Sequence, residues 1–205
     1  SNLNTLKSLK IDHNLITTNG LWDGGLGKMK SLTYLNMGWN QLTELGGKLF
    51  DPKPSNLTYL NLSHNDLNVL PMSLYEVKSL QELYLEYNNL NELKDRFGNL
   101  TNLHTINLGN NRLFELPNTM EKIKQLSGTI DLSNNLFEDR PDDLLWKLPY
   151  IKHVILSGCP LNPEGLSILQ FLINGDLAVM EGDLDGAVED YTSVLNINPY
   201  HFEAV

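Results

Sequence analysis

Hydrophobic residues follow one spacing pattern that recurs from residue 6 to residue 161. In each copy two apolar residues stand three apart, a third follows two later, an asparagine comes three after that, and another apolar residue closes the unit. Leu57, Leu60, Leu62, Asn65 and Leu67 form one such copy. The residues at the asparagine position are 23 to 26 apart: Asn14, Asn40, Asn65, Asn88, Asn111, Asn135 and Cys159. A short fixed period of this kind indicates stacked repeats rather than separate domains.

The change of spacing within each copy predicts two kinds of local structure. The alternating L-x-L segment predicts a short strand whose apolar side chains share one face. Stacked copies then predict a parallel sheet with strands roughly 4.8 Å apart. The wider apolar spacing after the asparagine predicts a helical turn or irregular segment on the opposite side of the core. Because one repeat cannot bury its leucines alone, the copies are expected to share one continuous core.

The recurring polar position has a structural interpretation. A chain that turns inside a packed solenoid leaves buried N–H and C=O groups in need of partners. An asparagine side chain supplies both a donor and an acceptor. We therefore predict that the asparagines bond to buried backbone, and that Cys159 is a turn residue rather than a nucleophile.

The full pattern, L-x-x-L-x-L-x-x-N/C-x-L, resembles that of the leucine-rich repeat family. Seven copies in register cover about four-fifths of the chain. The resemblance implies an α/β solenoid over residues 1–161, in which a parallel sheet lines the concave face of an arc.

The pattern changes after residue 161. Asn162 and Pro163 are suited to begin a helix that ends near Glu181, and Asp183 is suited to begin a second. The small and aromatic positions of this segment resemble those of a tetratricopeptide repeat: Phe171, Gly175, Ala178, Gly182, Ala187, Tyr191 and Val194. The resemblance implies an α-helical hairpin over residues 162–205 that caps the solenoid. The chain begins without a polar cap and stops at what looks like the start of another helix, so we expect either a piece of a longer protein or a second chain that covers an end.

Composition and charge narrow the function classes. No apolar run approaches the ~20 residues of a membrane span, so we expect none. A single cysteine excludes an internal disulfide framework and favours a reducing, cytoplasmic compartment. Bacterial surface or secreted leucine-rich repeat proteins can also lack disulfide caps, so a secreted or cell-surface location stays an alternative.

The net charge of the chain is −10, of which −7 lies beyond residue 174. A basic peptide or protein is therefore a better partner than nucleic acid or an anionic membrane.

The positions between the leucines are expected to stack into columns on the concave face. Repeats two to four place aromatic residues in these columns, whereas repeats five to seven place mostly small polar ones. Clustered exposed Tyr and Trp are typical of binding hot spots. In the alternative interpretation, Tyr before L-x-L is a frequent consensus residue of the family. The predicted partner-binding residues are Tyr34, Trp39, Tyr59, His64, Tyr84, Glu86 and Tyr87.

Catalytic and cofactor motifs are not apparent. The five histidines lack metal-ligand spacing, and the segment around Gly27 and Lys28 does not fit a phosphate-binding loop. We therefore predict no enzyme activity, metal or cofactor, and a non-catalytic scaffold that binds a protein or peptide. The alternative is the substrate-recognition region of a larger kinase or ubiquitin ligase whose catalytic domain lies outside this sequence.

Overall fold

The computed structural model contains one seven-stranded parallel sheet in which neighbouring strands follow chain order. It describes residues 3–18, 26–47, 49–51, 54, 56–138, 141–145 and 147–161. The strands are β1 Ser8–Lys10, β2 Tyr34–Asn36, β3 Tyr59–Asn61, β4 Glu82–Tyr84, β5 Thr105–Asn107, β6 Ser127–Asp131 and β7 Tyr150–Ile155. The sheet is open, as expected for a leucine-rich repeat solenoid.

The strand register confirms the columns expected from the repeat spacing. Leu35 of β2 lies beside Leu9 of β1 and Leu60 of β3. The central residue of each strand from β2 to β5 is buried, and its two neighbours are partly exposed. Leucines therefore occupy one face of the sheet, while the intervening residues occupy the other.

Short 3₁₀ helices return the chain on the far side of the core, where a helical turn was expected. The 3₁₀ helices are Leu3–Thr5, Leu26–Lys28, Leu74–Glu76, Asp95–Asn99 and Asn118–Lys122, and the one α-helix of the described residues is α1, Asp142–Leu145. Their buried side chains join the strand leucines in one hydrophobic cluster. Tyr75 and Phe97 fill this side, with ring centroids 6.1 Å apart in an edge-on arrangement.

The asparagine ladder bonds to backbone, as predicted. Asn65 Nδ2 donates to the carbonyls of Met37 and Leu62, both at 3.0 Å, and Asn65 Oδ1 accepts from Leu42 N–H at 3.0 Å. Asn40, Asn88, Asn111 and Asn135 repeat this arrangement. Each side chain therefore ties its own turn to the preceding repeat.

The last two repeats depart from the regular pattern. The pairing of β6 with β7 shifts between Gly128 and Thr129, and Gly128 has a φ of +74°. The first leucine of this repeat, Leu126, correspondingly lies one residue earlier than the consensus position. Cys159 is half-buried, and its thiol donates to the Leu132 carbonyl at 3.2 Å, as expected of a turn residue.

The predicted tetratricopeptide-like hairpin, residues 162–205, lies outside the described residues and stays a prediction, as does the boundary at residue 161. Within the described part of the chain, no helix is long and apolar enough to cross a lipid bilayer.

Candidate functional site

The face of the sheet opposite the leucines is solvent-accessible. It consists of the first and third residues of strands β1 to β5, the residues in register with them in β6 and β7, and the side chains of the turn that follows each strand. We call this surface the open face. In repeats two to four it holds the seven predicted partner-binding residues: Tyr34, Trp39, Tyr59, His64, Tyr84, Glu86 and Tyr87. The six rings form two parallel rows, and Glu86 stands between them.

The first row is a tyrosine stack that crosses the strands. Tyr34 and Tyr59 occupy equivalent register positions, and their rings stack with centroids 4.1 Å apart. Tyr84 lies on the neighbouring column and tilts against Tyr59 at 5.3 Å. Lys10 of β1 extends the row, with its Nζ 5.4 Å from the Tyr34 ring centroid, within range of a cation–π contact.

The tyrosine stack raises the pKa of its central phenols. Burial between neighbouring side chains raises the pKa of Tyr59, and Tyr34 adds to the rise. Burial also raises the pKa of Tyr84 to about 12, assisted by the bond that its hydroxyl donates to Glu82 Oε2 at 3.0 Å. These phenols therefore stay neutral, as hydrogen-bond donors, through the physiological range.

The second row is a stack in the turn that follows the strands. Repeats one to four each contribute one ring to it: His13, Trp39, His64 and Tyr87. The centroids of successive rings are 5.3, 3.6 and 4.2 Å apart, and their planes lie within 14° of parallel. Trp39 and Tyr87 are each about half exposed, at 50% and 51%. Burial between the rings lowers the pKa of His64, and His13 lowers it further.

Backbone conformation explains why this second row stacks. All four residues have a φ between 52° and 56°, in the left-handed region. The carbonyls of Trp39, His64 and Tyr87 each accept the asparagine N–H of the preceding repeat at 3.1–3.2 Å. Hydrogen bonding therefore sets the distance between neighbouring rings at close to the strand spacing.

The left-handed conformation is unfavourable for Trp39 and Tyr87, whereas histidine, the residue type at positions 13 and 64, adopts it more often than most. It costs roughly 1–2 kcal/mol in a residue with a Cβ, and Asn and Gly tolerate it best. Repeats five to seven place Asn110, Asn134 and Gly158 at the same position. Large rings thus replace the residues that the backbone favours, only in repeats one to four.

Glu86 stands between the two rows and is the one carboxylate among the predicted residues. At the third position of the strand, three repeats have an asparagine whose side-chain oxygen accepts a hydrogen bond from the N–H two residues later: Asn36, Asn61 and Asn107. Repeat four has Tyr84 at this position. Burial raises the pKa of Glu86, and the Asp131 carboxylate contributes to the rise, whereas the backbone amide of Glu86 itself acts to lower this pKa.

Sequence reasoning missed three members of this surface. His13 extends the turn row, Lys10 contacts Tyr34, and Glu82 accepts the Tyr84 hydroxyl. All three occupy the columns that the repeat spacing defines. Their position in register was therefore a sufficient signal, although none is an exposed aromatic of repeats two to four.

Comparison with known proteins agrees with the geometry. A family model described as leucine rich repeat matches residues 40–90, and a second leucine rich repeat model matches residues 28–50. The chain carries leucine-rich repeats. A keratocan of Coturnix japonica is 29% identical over 174 residues, which are 80% of this chain and 46% of that protein.

Two solved structures share the leucine-rich repeat fold. An internalin of Listeria monocytogenes aligns with a TM-score of 0.65 at 21% identity, over 77% of this chain and 43% of the other. A leucine-rich repeat protein of Leptospira interrogans aligns with a TM-score of 0.60 at 23% identity, over 82% of this chain and 53% of the other. The chain thus spans about half the length of each of these proteins.

Within the described residues, no group of three or more His, Cys, Asp and Glu side chains is placed to hold a metal ion. The open face instead offers aromatic planes, neutral hydroxyl donors and carboxylates, which are groups suited to recognition.

Proposed function

We propose that the chain is a non-catalytic protein-interaction module that binds a protein or peptide on the aromatic half of the open face. The observation that carries the proposal is the pair of aligned rows, in which Tyr34, Tyr59 and Tyr84 run beside Trp39, His64 and Tyr87. Leucine-rich repeat proteins typically serve as such scaffolds, which supports the proposal.

Stability alone gives no reason for these rings. The leucines and ladder asparagines are buried and bonded, whereas Trp39 and Tyr87 are half exposed and adopt an unfavourable backbone conformation. Ring stacking offsets part of that strain, since an aromatic pair contributes about 0.5–1.5 kcal/mol. Asparagine would satisfy the same backbone without strain. Rings at these positions are therefore better explained by contact with a partner.

The two rows are also suited to an extended ligand. Rings fixed by stacking lose little conformational entropy on binding, which is the reason Tyr and Trp dominate interface hot spots. Neighbouring strands place the rings roughly 4.8 Å apart, so a ligand that crosses the strands meets one ring per repeat in each row. Glu86 adds a charged group between the rows.

The test uses selection from a displayed library of short random peptides. The variant Trp39→Asn, Tyr59→Thr, Tyr84→Asn replaces each ring with the residue that its column holds in repeat five. We expect selected peptides to lose at least about tenfold in affinity for this variant, as hot-spot residues would. Circular dichroism should show an unchanged fold.

The matched control is Phe114→Asn, which removes an aromatic side chain that is 54% exposed and lies off the open face. It should bind the selected peptides as the wild type does. Peptides that bind the triple variant as tightly as the wild type would contradict the proposal, as would a selection that enriches no peptide.

A further inference from the structure

One position of the open face lacks a side chain between two carboxylates. Gly109 of repeat five lies next to Glu86 of repeat four, and the repeat-six residue Asp131 folds over it. A Cβ on Gly109 would stand 3.0 Å from three atoms of the Asp131 carboxyl group. Burial raises the pKa of Glu86, and the Asp131 carboxylate lies close enough to add to that rise. The Asp131 carboxyl group therefore takes the space that a side chain at residue 109 would fill, beside Glu86 at the border between the aromatic and polar repeats.

The carboxylates of this region have no basic partner within the described residues. Glu82, Glu86 and Asp131 form no ion pair there, and one oxygen of Glu86, Oε2, is buried without a hydrogen-bond partner. Lys10 is the one basic side chain, Lys or Arg, in the columns of repeats one to six on the open face, and it lies at the opposite end of the tyrosine stack. The open face of repeats four to six thus carries negative charge that no Lys or Arg side chain of these columns balances.

The tyrosine stack already shows how a cation would be held. Lys10 places its ammonium group 5.4 Å from the Tyr34 ring centroid, at the end of the row in repeat one. Tyr84, at the other end, lies beside Glu82 and Glu86 with no cation over it in the described residues. A positive group there would meet both an aromatic face and carboxylates, which strengthen each other as cation ligands.

We infer that the partner is a basic segment that places a Lys or Arg side chain against the carboxylates of Glu86 and Asp131, beside Tyr84. The inference rests on the proposed function and adds the chemical class and position of the ligand. The aromatic half supplies contact area for the rest of the segment. The carboxylate pair fixes where its positive charge must lie.

The first experiment reads the composition of peptides selected on the wild-type chain from the same random library. We expect Lys or Arg at one position of the enriched sequences. The variant Glu86→Gln, Asp131→Asn should bind them about tenfold more weakly, as expected when a charge-assisted contact is lost. Asn at residue 131 can still accept the Ser133 N–H, as Asn61 and Asn107 do in their repeats.

A control variant of equal net charge separates a local contact from general attraction. Asp66→Asn, Glu115→Gln removes two exposed carboxylates that lie off the open face. This control should keep the affinity within about twofold, since exposed charges far from a ligand are largely screened. An equal loss in both double variants would overturn the inference.

A pair of glycine variants tests the position of the Asp131 carboxylate. Gly109→Ala pushes against the Asp131 carboxyl group, whereas Gly38→Ala, at the same column position in repeat two, meets Asn61 and Ser63 at 3.2 Å. We expect weaker binding of basic peptides only for Gly109→Ala. Equal binding by both variants would overturn the placement.

The outcomes keep the two proposals apart. Enriched peptides without Lys or Arg, bound through Trp39, Tyr59 and Tyr84, would overturn this inference and leave the proposed function standing. Peptides that ignore the three rings would overturn the proposed function. A selection that enriches nothing would overturn both.

Discussion

The two halves of the open face share a backbone and differ in what they display. His13, Trp39, His64 and Tyr87 occupy the left-handed position of repeats one to four, and Asn110, Asn134 and Gly158 occupy it in repeats five to seven. The polar half carries the residues that this conformation favours. The aromatic half carries rings that fit it less well. The solenoid therefore needs only small residues at the left-handed position, so the rings of repeats one to four require a further explanation.

The buried ladder should behave alike in both halves. Asn88→Ala and Asn135→Ala each leave one backbone N–H and three backbone carbonyls of the same or neighbouring turns without their side-chain partner. We expect each variant to lower the free energy of unfolding by about 3 kcal/mol or more, because every unsatisfied buried group costs about 1–3 kcal/mol. Urea unfolding measures the change.

The control for the ladder is Asn68→Ala, at an exposed asparagine whose side chain makes one long local bond of 3.4 Å. It should change stability by no more than about 0.5 kcal/mol. A ladder variant as stable as the wild type, in either half, would contradict the shared role of the asparagines.

Exchanging residues between the halves tests the left-handed position directly. Asn110→Trp places a ring where φ is 56° and removes the bond from Asn134 at 3.0 Å. We expect a loss of about 1–2 kcal/mol from the backbone conformation. The reverse change, Trp39→Asn, should stay within about 1 kcal/mol, because relief of strain offsets the lost stacking. Thermal and urea unfolding compare the two.

Asn110→Gly serves as the reference for that exchange, since glycine adopts a positive φ without strain. It should be more stable than Asn110→Trp. If Asn110→Trp were as stable as the wild type, the rings of the aromatic half would need no functional explanation, and the comparison would fail.

Alkaline pH should weaken the aromatic half of the open face through Tyr84. The folded-state pKa of Tyr84, about 12, lies above that of an unfolded tyrosine, so this residue contributes stability below the unfolded pKa. The contribution is lost as pH rises through the folded value. We expect the unfolding free energy of the wild type to fall more steeply than that of Tyr84→Asn between about pH 9 and pH 12. Parallel pH profiles would contradict the burial of this phenol.

The smallest effect is expected at Glu86. Its folded pKa is raised, so its contribution to stability is fully present below the unfolded pKa and is lost as pH rises through the folded value. Glu86→Gln should therefore match the wild type in acid and exceed it at neutral pH, by less than about 1 kcal/mol because the group is partly screened by solvent. The exposed Glu115→Gln, measured in parallel by thermal unfolding, should show no such pH-dependent gain.

Much of the fold followed from the sequence because each repeat has the same spacing of apolar residues and nearly the same length. Leu35, Leu60 and Leu83 align because each repeat returns the chain to the same point one strand further on. Alternation within the strand then assigns Tyr34, Tyr59 and Glu82 to one column of the open face. The backbone bonding of Asn65 and its equivalents followed from the need of buried turns for donors and acceptors.

Only the tertiary structure decided how the open face is arranged within those columns. Ring stacking between Trp39 and His64 depends on the left-handed φ of both turns, and the charge effect of Asp131 on Glu86 reaches across the repeat that carries Gly109. The sequence by itself determined which residues share a column, because strand alternation and constant repeat length act along the chain. Distances and burial between columns depend on how neighbouring turns pack, and that is settled only when the repeats stack in three dimensions.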